Sequence, residues 1–298
     1  MKRSDRLMLN IKEFVVEWKG KIKARVAKLM RRPVLVIVQM GNVEASNRYV
    51  RNKVKDANEV GIDAVVAHFE EDDFETIDQF KDKVTELALG CADGIIVQLP
   101  LPKKFNDIKY ILSDIPARMD VDGLSGKVGA QTPCTPLGMM TFINEKKLID
   151  KPFKKALVIG RSELVGKPMA QLLLDNDYTV TIAHSKSGMY TIQRMAEQVD
   201  LVVCAVGKEK FLDCTHINGI VMDVGINFDA DGKMCGDCYI GDPEAKTTVD
   251  LRSPVPGGVG LLTRCALMEN TVRSCEWQEE EMERFRYEIT LRESEPKD

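Results

Sequence analysis

No run of apolar residues in this sequence approaches the roughly 18 consecutive positions that a bilayer-spanning helix needs. The amino-terminal segment MKRSDRLMLNIKEF is basic but lacks the apolar centre of a secretory signal. An excess of one charge is missing too: 42 Lys and Arg against 46 Asp and Glu leave a formal net charge of -4. Neither nucleic acid nor a membrane surface is therefore expected as a partner, and the chain reads as a soluble, cytoplasmic protein. The 8 cysteines, at positions 91, 134, 204, 214, 235, 238, 265 and 275, are scattered rather than spaced as a disulfide framework. Several lie in apolar runs such as LVVCAVG around Cys204, where cysteine acts as a small hydrophobe. Cys235 and Cys238 spell C-x-x-C, but no second pair or histidine cluster accompanies them. That pair reads as a coincidence ahead of a redox or zinc site, and no metal is expected.

What is present is an ordinary globular mixture, 44% hydrophobic and 30% charged over 298 residues, long enough for two domains of about 100–200 residues each. Ile11, Phe14, Trp18, Ile22, Val26 and Leu29 recur at helical spacing. VLVIVQ then predicts a buried strand, followed by a helix capped by Ser46 and ending before Gly61. IDAVVAHF, a helix through Ile77 to Ala88 closed by Gly90, and GIIVQLP continue the alternation. This order predicts a parallel sheet covered on both faces. A helix started by Thr135 and Pro136 introduces a second series: KALVIG, a helix from Gly166 to Leu174, YTVTIAH, a helix in TIQRMAEQV, DLVVCAVG and GIVMDVGIN. That series predicts a doubly wound, nucleotide-binding sheet. A last helix is expected from near Leu261 toward Tyr287, with RESEPKD disordered beyond it.

Several places could carry chemistry. Gly160 to Pro168, GRSELVGKP, lies between a strand and a helix, where glycine lets backbone amides approach a pyrophosphate and the helix start favours its charge. Ser162 and Val165 stand at the second and third positions of the usual G-x-G-x-x-G, so the motif alone is weak. After the next strand, where NAD enzymes place an acid for the ribose hydroxyls, this chain has His184, Ser185 and Lys186. With Arg161 these donors favour the 2′-phosphate of NADP. In the first half, Tyr49 and Lys53 stand at i,i+4 on one helix face, able to stack a flat ligand and present a proton carrier. Y-x-x-x-K also marks short-chain dehydrogenases, but there it follows the glycine turn, and here it precedes Gly160. Gln98, Asp122 in D-V-D-G, and the loop PVPGGVG from Pro254 to Gly260 sit where ligands meet parallel sheets or where glycine bares its amides.

The ordered series YVRNK, VQLPLP, DVDG, PCTPLG, GRSELVGKP, DVGIN and PVPGGVG closely resembles the bifunctional methylenetetrahydrofolate dehydrogenase/cyclohydrolase family, from about Pro33 to the helix after Gly260. The resemblance implies a two-domain α/β fold with parallel sheets, the second Rossmann-like, and a cleft between them. It implies residues 1–135 as a folate-binding catalytic domain completed by a helix over 261–290, and 136–260 as the NADP domain. A homodimer through the nucleotide domains is implied as well. Lys53 is then the proton-transfer residue, Gln98 orients it, Tyr49 packs against the folate rings and Asp122 binds the pterin edge. Val97, Leu99, Pro256, Gly257, Gly258, Val259 and Gly260 line the folate site. Gly160, Arg161, Ser162, Val165, Gly166, Ser185 and Ile226 contact the dinucleotide. The implied reaction oxidises 5,10-methylenetetrahydrofolate with NADP and hydrolyses the methenyl product to 10-formyltetrahydrofolate. The chain departs from the family pattern between DVDG and PCTP, where Leu124–Thr132 replaces the usual H-P-x-N-x-G segment. Leu261 and Leu262 follow PVPGGVG in place of proline and methionine, the early D-G-K element is missing, and the charged tail is long. The competing readings are a dehydrogenase alone, linked to NADP or NAD, a folate- or nucleotide-binding protein without turnover, and an unrelated amino-acid or shikimate-type dehydrogenase, which VQLPLP and PVPGGVG disfavour.

Overall fold

The computed structural model describes residues 8–241 and 251–294. They form two compact units: residues 19–132 with 267–294, and residues 8–18 with 133–241 and 251–266. Helix α1 (Ile11–Val26) gives its first half to one unit and its second half to the other.

The first of these units is built on β1 (Val34–Met40), β2 (Asp63–Phe69) and β3 (Gly94–Val97), all parallel, in the order β2-β1-β3. Val34 pairs with Asp63 and Leu35 with Gly94. The central strand, VLVIVQM, is buried from Leu35 onward, as a strand flanked on both sides must be. At the edge, β2 leaves Val65 and Val66 exposed, so the expected cover on both faces does not extend across the whole sheet. Helix α2 (Glu44–Val60) ends where Gly61 adopts φ +94°, a left-handed conformation that suits glycine. Ser46 does not cap it. Val43 holds that position without a side-chain bond, and Ser46 is buried within the first turn. The start is tied instead by Asn47, whose Oδ1 accepts from Gln39 Nε2 at 2.6 Å while its Nδ2 donates to Asn42 Oδ1 at 2.7 Å.

Helix α3 (Ile77–Cys91) begins with a capping box. Thr76 Oγ1 accepts from the Gln79 amide, and the Gln79 side chain accepts from the Thr76 amide. Gly90 does not close this helix: it lies within it, away from the left-handed region, and Ala92 leaves in an extended conformation. Phe80, Val84 and Ala88 of α3 bury against Ile95 and Val97, and Phe69, Phe74, Phe80 and Phe105 pack edge-on or tilted. The one-turn helix α4 (Ile108–Ile111) is capped by the Asp107 side chain.

In the other unit, α5 (Cys134–Glu145) starts at Pro133 rather than at a Thr135 cap, because the Thr135 hydroxyl pairs with that of Thr263 at 3.0 Å. Strands β4 (Lys154–Ile159), β5 (Tyr178–Ala183), β6 (Leu201–Cys204), β8 (Ile220–Asp223) and β12 (Leu251–Arg252) make a five-stranded parallel sheet in the order β12-β8-β6-β4-β5. Helices α6 (Gly166–Leu174) and α7 (Met189–Ala196) are its connections. The order reverses between β4 and β6, the switch point of a doubly wound sheet. Two-residue strands β7 (Leu212–Asp213), β9 (Asn227–Phe228), β10 (Met234–Cys235) and β11 (Cys238–Tyr239) form two small satellite pairs that hydrophobic periodicity does not reveal. The carboxyl-terminal helix α8 (Val259–Ser294) starts before Leu261 and continues past Tyr287. Its Glu- and Arg-rich sequence has high helix propensity, so Arg292 to Ser294 are helical rather than disordered; residues 295–298 lie outside the described residues.

One buried carboxylate, paired with an exposed arginine, stands where α8 meets the β2-β1-β3 sheet. Asp93 is fully buried, accepts from both terminal nitrogens of Arg31 at 2.6 and 2.5 Å, and accepts from the Val34 amide at 2.7 Å. Its carbonyl accepts from Ser274 Oγ at 2.6 Å. Truncating Asp93→Ala leaves the Val34 amide without its acceptor while Arg31 stays in solvent, and is expected to cost about 1–3 kcal/mol. Urea unfolding followed by circular dichroism measures this; a midpoint close to wild type would show that the pair carries little of the fold.

Candidate active site

The lysine arrangement grows from the carboxyl ends of β1 and β3. Beyond Val97 the Gln98 amide still donates to Val38 O at 2.8 Å, so the ladder fixes the Gln98 backbone one residue past the strand. Its side-chain Nε2 donates to Leu99 O at 2.6 Å, which turns Oε1 outward, and Lys53 Nζ donates to that oxygen at 2.9 Å. Helix α2 supplies Lys53 and, one turn earlier, Tyr49; both are half-buried. Among the described residues no carboxylate pairs with Lys53. A neutral amide thus orients the amine without an ion pair.

Asp122 is placed by a separate device. Asp120 forms an isolated parallel bridge to Ile95, so that two residues further along each chain stand Asp122 and Val97. The Asp120 carboxylate is fully buried and accepts from the amides of Gly123 at 3.0 Å and Ser125 at 2.7 Å. Burial pushes its pKa above the usual carboxylate range, against the bonds from those amides. Asn270 Nδ2 donates to Val121 O at 2.9 Å and to Thr132 O at 3.0 Å, closing the short loop that replaces the usual family segment. Within that loop Ser125 and Gln131 are buried while Val128 is fully exposed.

Lys53 and Gln98 are the pair brought into direct contact. Asp122 is half-buried, with no hydrogen bond to either among the described residues. Val97 is 2% exposed and belongs to the core, whereas Leu99 is half-buried. Pro254–Gly258 turns tightly before α8: Gly257 has φ +97°, and a Cβ on Gly258 would lie 2.2 Å from Pro254 O. Val259 and Gly260 open the helix itself. Sequence reasoning missed Asp120, Gln39 and Asn270, although Asp120 stands in the same DVDG motif.

In the other unit β4 leads into the glycine turn. Gly160 has φ +128°, and a Cβ there would lie 2.4 Å from Ala205 O; one on Gly166 would lie 2.4 Å from Gly160 O. Ser162 Oγ accepts from the amides of Val165 and Gly166 at 3.2 and 3.3 Å, shaping the entry to α6. The Gly160 amide donates to Ala183 O at 2.9 Å, setting this turn beside the end of β5. There the His184 amide donates to Ser187 Oγ at 3.0 Å and the Lys186 amide to His184 Nδ1 at 3.2 Å. Arg161, Ser162, Ser185 and Lys186 are exposed, and among the described residues no carboxylate pairs with Arg161 or Lys186. Ile226, just past β8, is 48% exposed. A glycine cradle that no side chain could occupy, flanked by free cationic and hydroxyl donors, fits a dinucleotide carrying an extra phosphate.

The remaining sequence features take structural roles. Cys134, Cys204, Cys214, Cys235, Cys238, Cys265 and Cys275 are free thiols, and among the described residues no group of His, Cys, Asp or Glu is arranged to hold a metal.

A doubly wound dinucleotide unit together with a lysine–glutamine pair on a second parallel sheet defines a two-unit, dinucleotide-dependent α/β enzyme. Comparison with known proteins gives the family. Residues 9–122 match the tetrahydrofolate dehydrogenase/cyclohydrolase catalytic domain, and residues 133–279 match the NAD(P)-binding domain of the same family. The chain is 40% identical over 255 residues to the bifunctional protein FolD of Ligilactobacillus salivarius, covering 82% of this chain and 87% of that one. The crystal structure of the bifunctional FolD enzyme of Campylobacter jejuni superposes with a TM-score of 0.80 at 33% identity, over 90% of this chain and 97% of that one. The Trypanosoma brucei enzyme, solved with NADP cofactor and an inhibitor, gives a TM-score of 0.80 at 27% identity, over 91% and 97% of the two chains. This chain belongs to the tetrahydrofolate dehydrogenase/cyclohydrolase family.

Removing the Lys186 cation should weaken a phosphate contact worth about 1.5–3 kcal/mol. Lys186→Ala is therefore expected to raise KM for NADP at least roughly tenfold while leaving KM for NAD within twofold. Steady-state kinetics with both cofactors test this; equal changes for the two would place the 2′-phosphate elsewhere.

Proposed function

We infer that the chain oxidises 5,10-methylenetetrahydrofolate to 5,10-methenyltetrahydrofolate with NADP and hydrolyses that product to 10-formyltetrahydrofolate. The observation that carries the lysine's role is the contact of Lys53 Nζ with Gln98 Oε1 at 2.9 Å. Bound NADP supplies the hydride acceptor for the first step. Gly160, Gly166 and the Ser162 turn hold its pyrophosphate, and Arg161, Ser185 and Lys186 its 2′-phosphate; Val165 and Ile226 complete the contacts. Tyr49 stacks on the folate rings and Asp122 accepts from the pterin edge. Leu99, half-buried beside Gln98, walls the folate, with Val97 beneath it in the core.

The second step needs proton management rather than a strong nucleophile, because the methenyl carbon is already cationic. Water adds to that carbon, and Lys53 receives the proton that the new C–O bond releases. The same amine then returns a proton to N5 as the C–N5 bond breaks, and the remaining hydroxyl proton passes to solvent as the C=O of the formyl group on N10 forms. Gln98 keeps the amine aimed through both transfers, a contribution of orientation. Retention of Lys53 favours this two-step reading over a dehydrogenase alone.

The division into a folate-binding catalytic domain (residues 1–135 with 261–290) and an NADP domain (136–260) follows from the same assignment of roles. We place the enzyme in the cytoplasm with no nucleic-acid or membrane partner; among the described residues no helix is long and apolar enough to cross a membrane. A homodimer through the nucleotide units is supported by β5, an edge strand with Thr181 and Ile182 exposed. Sedimentation at twice the chain mass is expected, and a monomer at micromolar concentration would remove the dimer.

The deciding experiment follows methylenetetrahydrofolate with NADP and with NAD, in wild type and Lys53→Met, reading NADPH and methenyl absorbance together. Wild type should reduce NADP without methenyl accumulation, and the variant should lose cyclohydrolase turnover by at least about 100-fold, the lower range for a lost acid–base group. No folate-dependent reduction with either cofactor would sink the assignment.

A further inference from the structure

The segment Cys235–Gly236–Asp237–Cys238 has no part in the chemistry above, yet its aspartate is one of the most heavily bonded side chains among the described residues. Asp237 is fully buried. Its Oδ2 accepts from the amides of Val206 and Gly207 at 2.7 and 3.0 Å, with the Cys204 thiol 3.9 Å away. Its Oδ1 accepts from the Lys208 amide at 2.8 Å and from Asn227 Nδ2 at 2.9 Å. Three successive amides around a left-handed Gly207 form a concave anion-binding turn, and here the chain fills it with its own carboxylate.

The surroundings are built to admit that carboxylate. A Cβ on Gly225 would lie 2.1 Å from Asp237 Oδ1. The Asp237 backbone is itself anchored, its amide donating to Asp223 Oδ1 at 2.9 Å, while the Cys238 amide donates to Asp223 Oδ2 at 2.9 Å.

The two loops joined in this way follow β6 and β8. Both lie at carboxyl ends of the doubly wound sheet, where such sheets bind ligands. The β6 loop abuts the glycine turn, as the close approach of Gly160 to Ala205 O shows. With the phosphate-binding donors at the end of β5, on one side of β4, a dinucleotide crossing the switch point extends its other half over β6 and β8. Val206 and Ile226, both exposed, are the apolar side chains these loops present.

We propose that Asp237 is a positioning residue for NADP: its carboxylate holds the β6 and β8 loops at the spacing the nicotinamide half requires, the β8 loop through Asn227. The proposal rests on the reading of this unit as the NADP site. Asp237→Asn turns one acceptor into a donor that faces N–H groups, and Asn227→Ala frees the β8 loop alone while leaving the three amides bonded.

Each variant is measured for NADP affinity by calorimetry, for KM of NADP, and for hydrolysis of methenyltetrahydrofolate without dinucleotide. Kd and KM for NADP should rise about tenfold or more in Asp237→Asn and about threefold in Asn227→Ala, as expected for bonds to a charged group and a single weaker tether. Dinucleotide-free hydrolysis, assigned to Lys53 and Gln98, should stay within twofold. NADP affinity unchanged in the folded variants overturns the proposal, as does a parallel loss of hydrolysis and NADP binding. Should Asp237→Asn fail to fold, Asn227→Ala decides by the same criteria. A wild type that binds no NADP instead removes the cofactor reading itself, and the proposal with it.

Discussion

Backbone amides at the ends of parallel strands have no partner in the next strand, and a buried amide without one is costly. In this protein buried aspartates supply the missing acceptors. Asp93 takes the first amide of β1, Asp120 those of Gly123 and Ser125, Asp223 those of Gly225, Asp237 and Cys238, and Asp237 those of Val206 to Lys208. A carboxylate out of water needs such donors as much as they need it. Burial pushes Asp120 and Asp223 above the ordinary carboxylate range, and the converging amides oppose that push. The loops that carry function are therefore fixed by polar contacts at strand ends, not by the apolar core beneath them.

This explains how loops can be both exposed and ordered. Arg161, Ser185, Lys186 and Ile226 face solvent, but each sits on a turn whose backbone is tied: by Ser162, by the His184–Ser187 bonds, or by the Asp223–Asp237 pair. The lysine arrangement uses the same economy, with Gln39 holding the start of α2 through Asn47 and Gln98 holding Lys53. Little of the protein does chemistry directly; most of it reduces the freedom of the few groups that meet ligands.

The alternation of strands and helices was legible because it is written locally, in runs such as VLVIVQ and KALVIG. The motif series was legible because its order leaves few families. What was hidden is written over distance. Asn270 reaches Val121 across 149 positions, Asp237 reaches Val206 across 31, and neither has a periodicity to betray it. Ser46 has the right residue type for a cap, but Gln39 and Asn42 had already claimed the turn through Asn47. The regular spacing of Ile11, Phe14, Trp18, Ile22 and Val26 shows one amphipathic helix. It gives no sign that its two halves belong to different units. The C-x-x-C spacing points to its thiols, while Asp237 between them makes the contacts.

Under the proposed chemistry, the choice of glutamine at position 98 follows from the charge of the species to be hydrolysed. A carboxylate there would bind Lys53 as an ion pair and withhold it from proton exchange. It would also stabilise the methenyl cation relative to the neutral formyl product, raising the barrier to water addition. An amide oxygen orients the amine at the same distance without adding negative charge, and its own Nε2–Leu99 bond prevents the amide from turning its donor end toward Lys53 Nζ. Under the proposed chemistry, the lysine's freedom to give and take a proton depends on that one backbone carbonyl, which is why the chain after β3 must leave the sheet in a fixed direction.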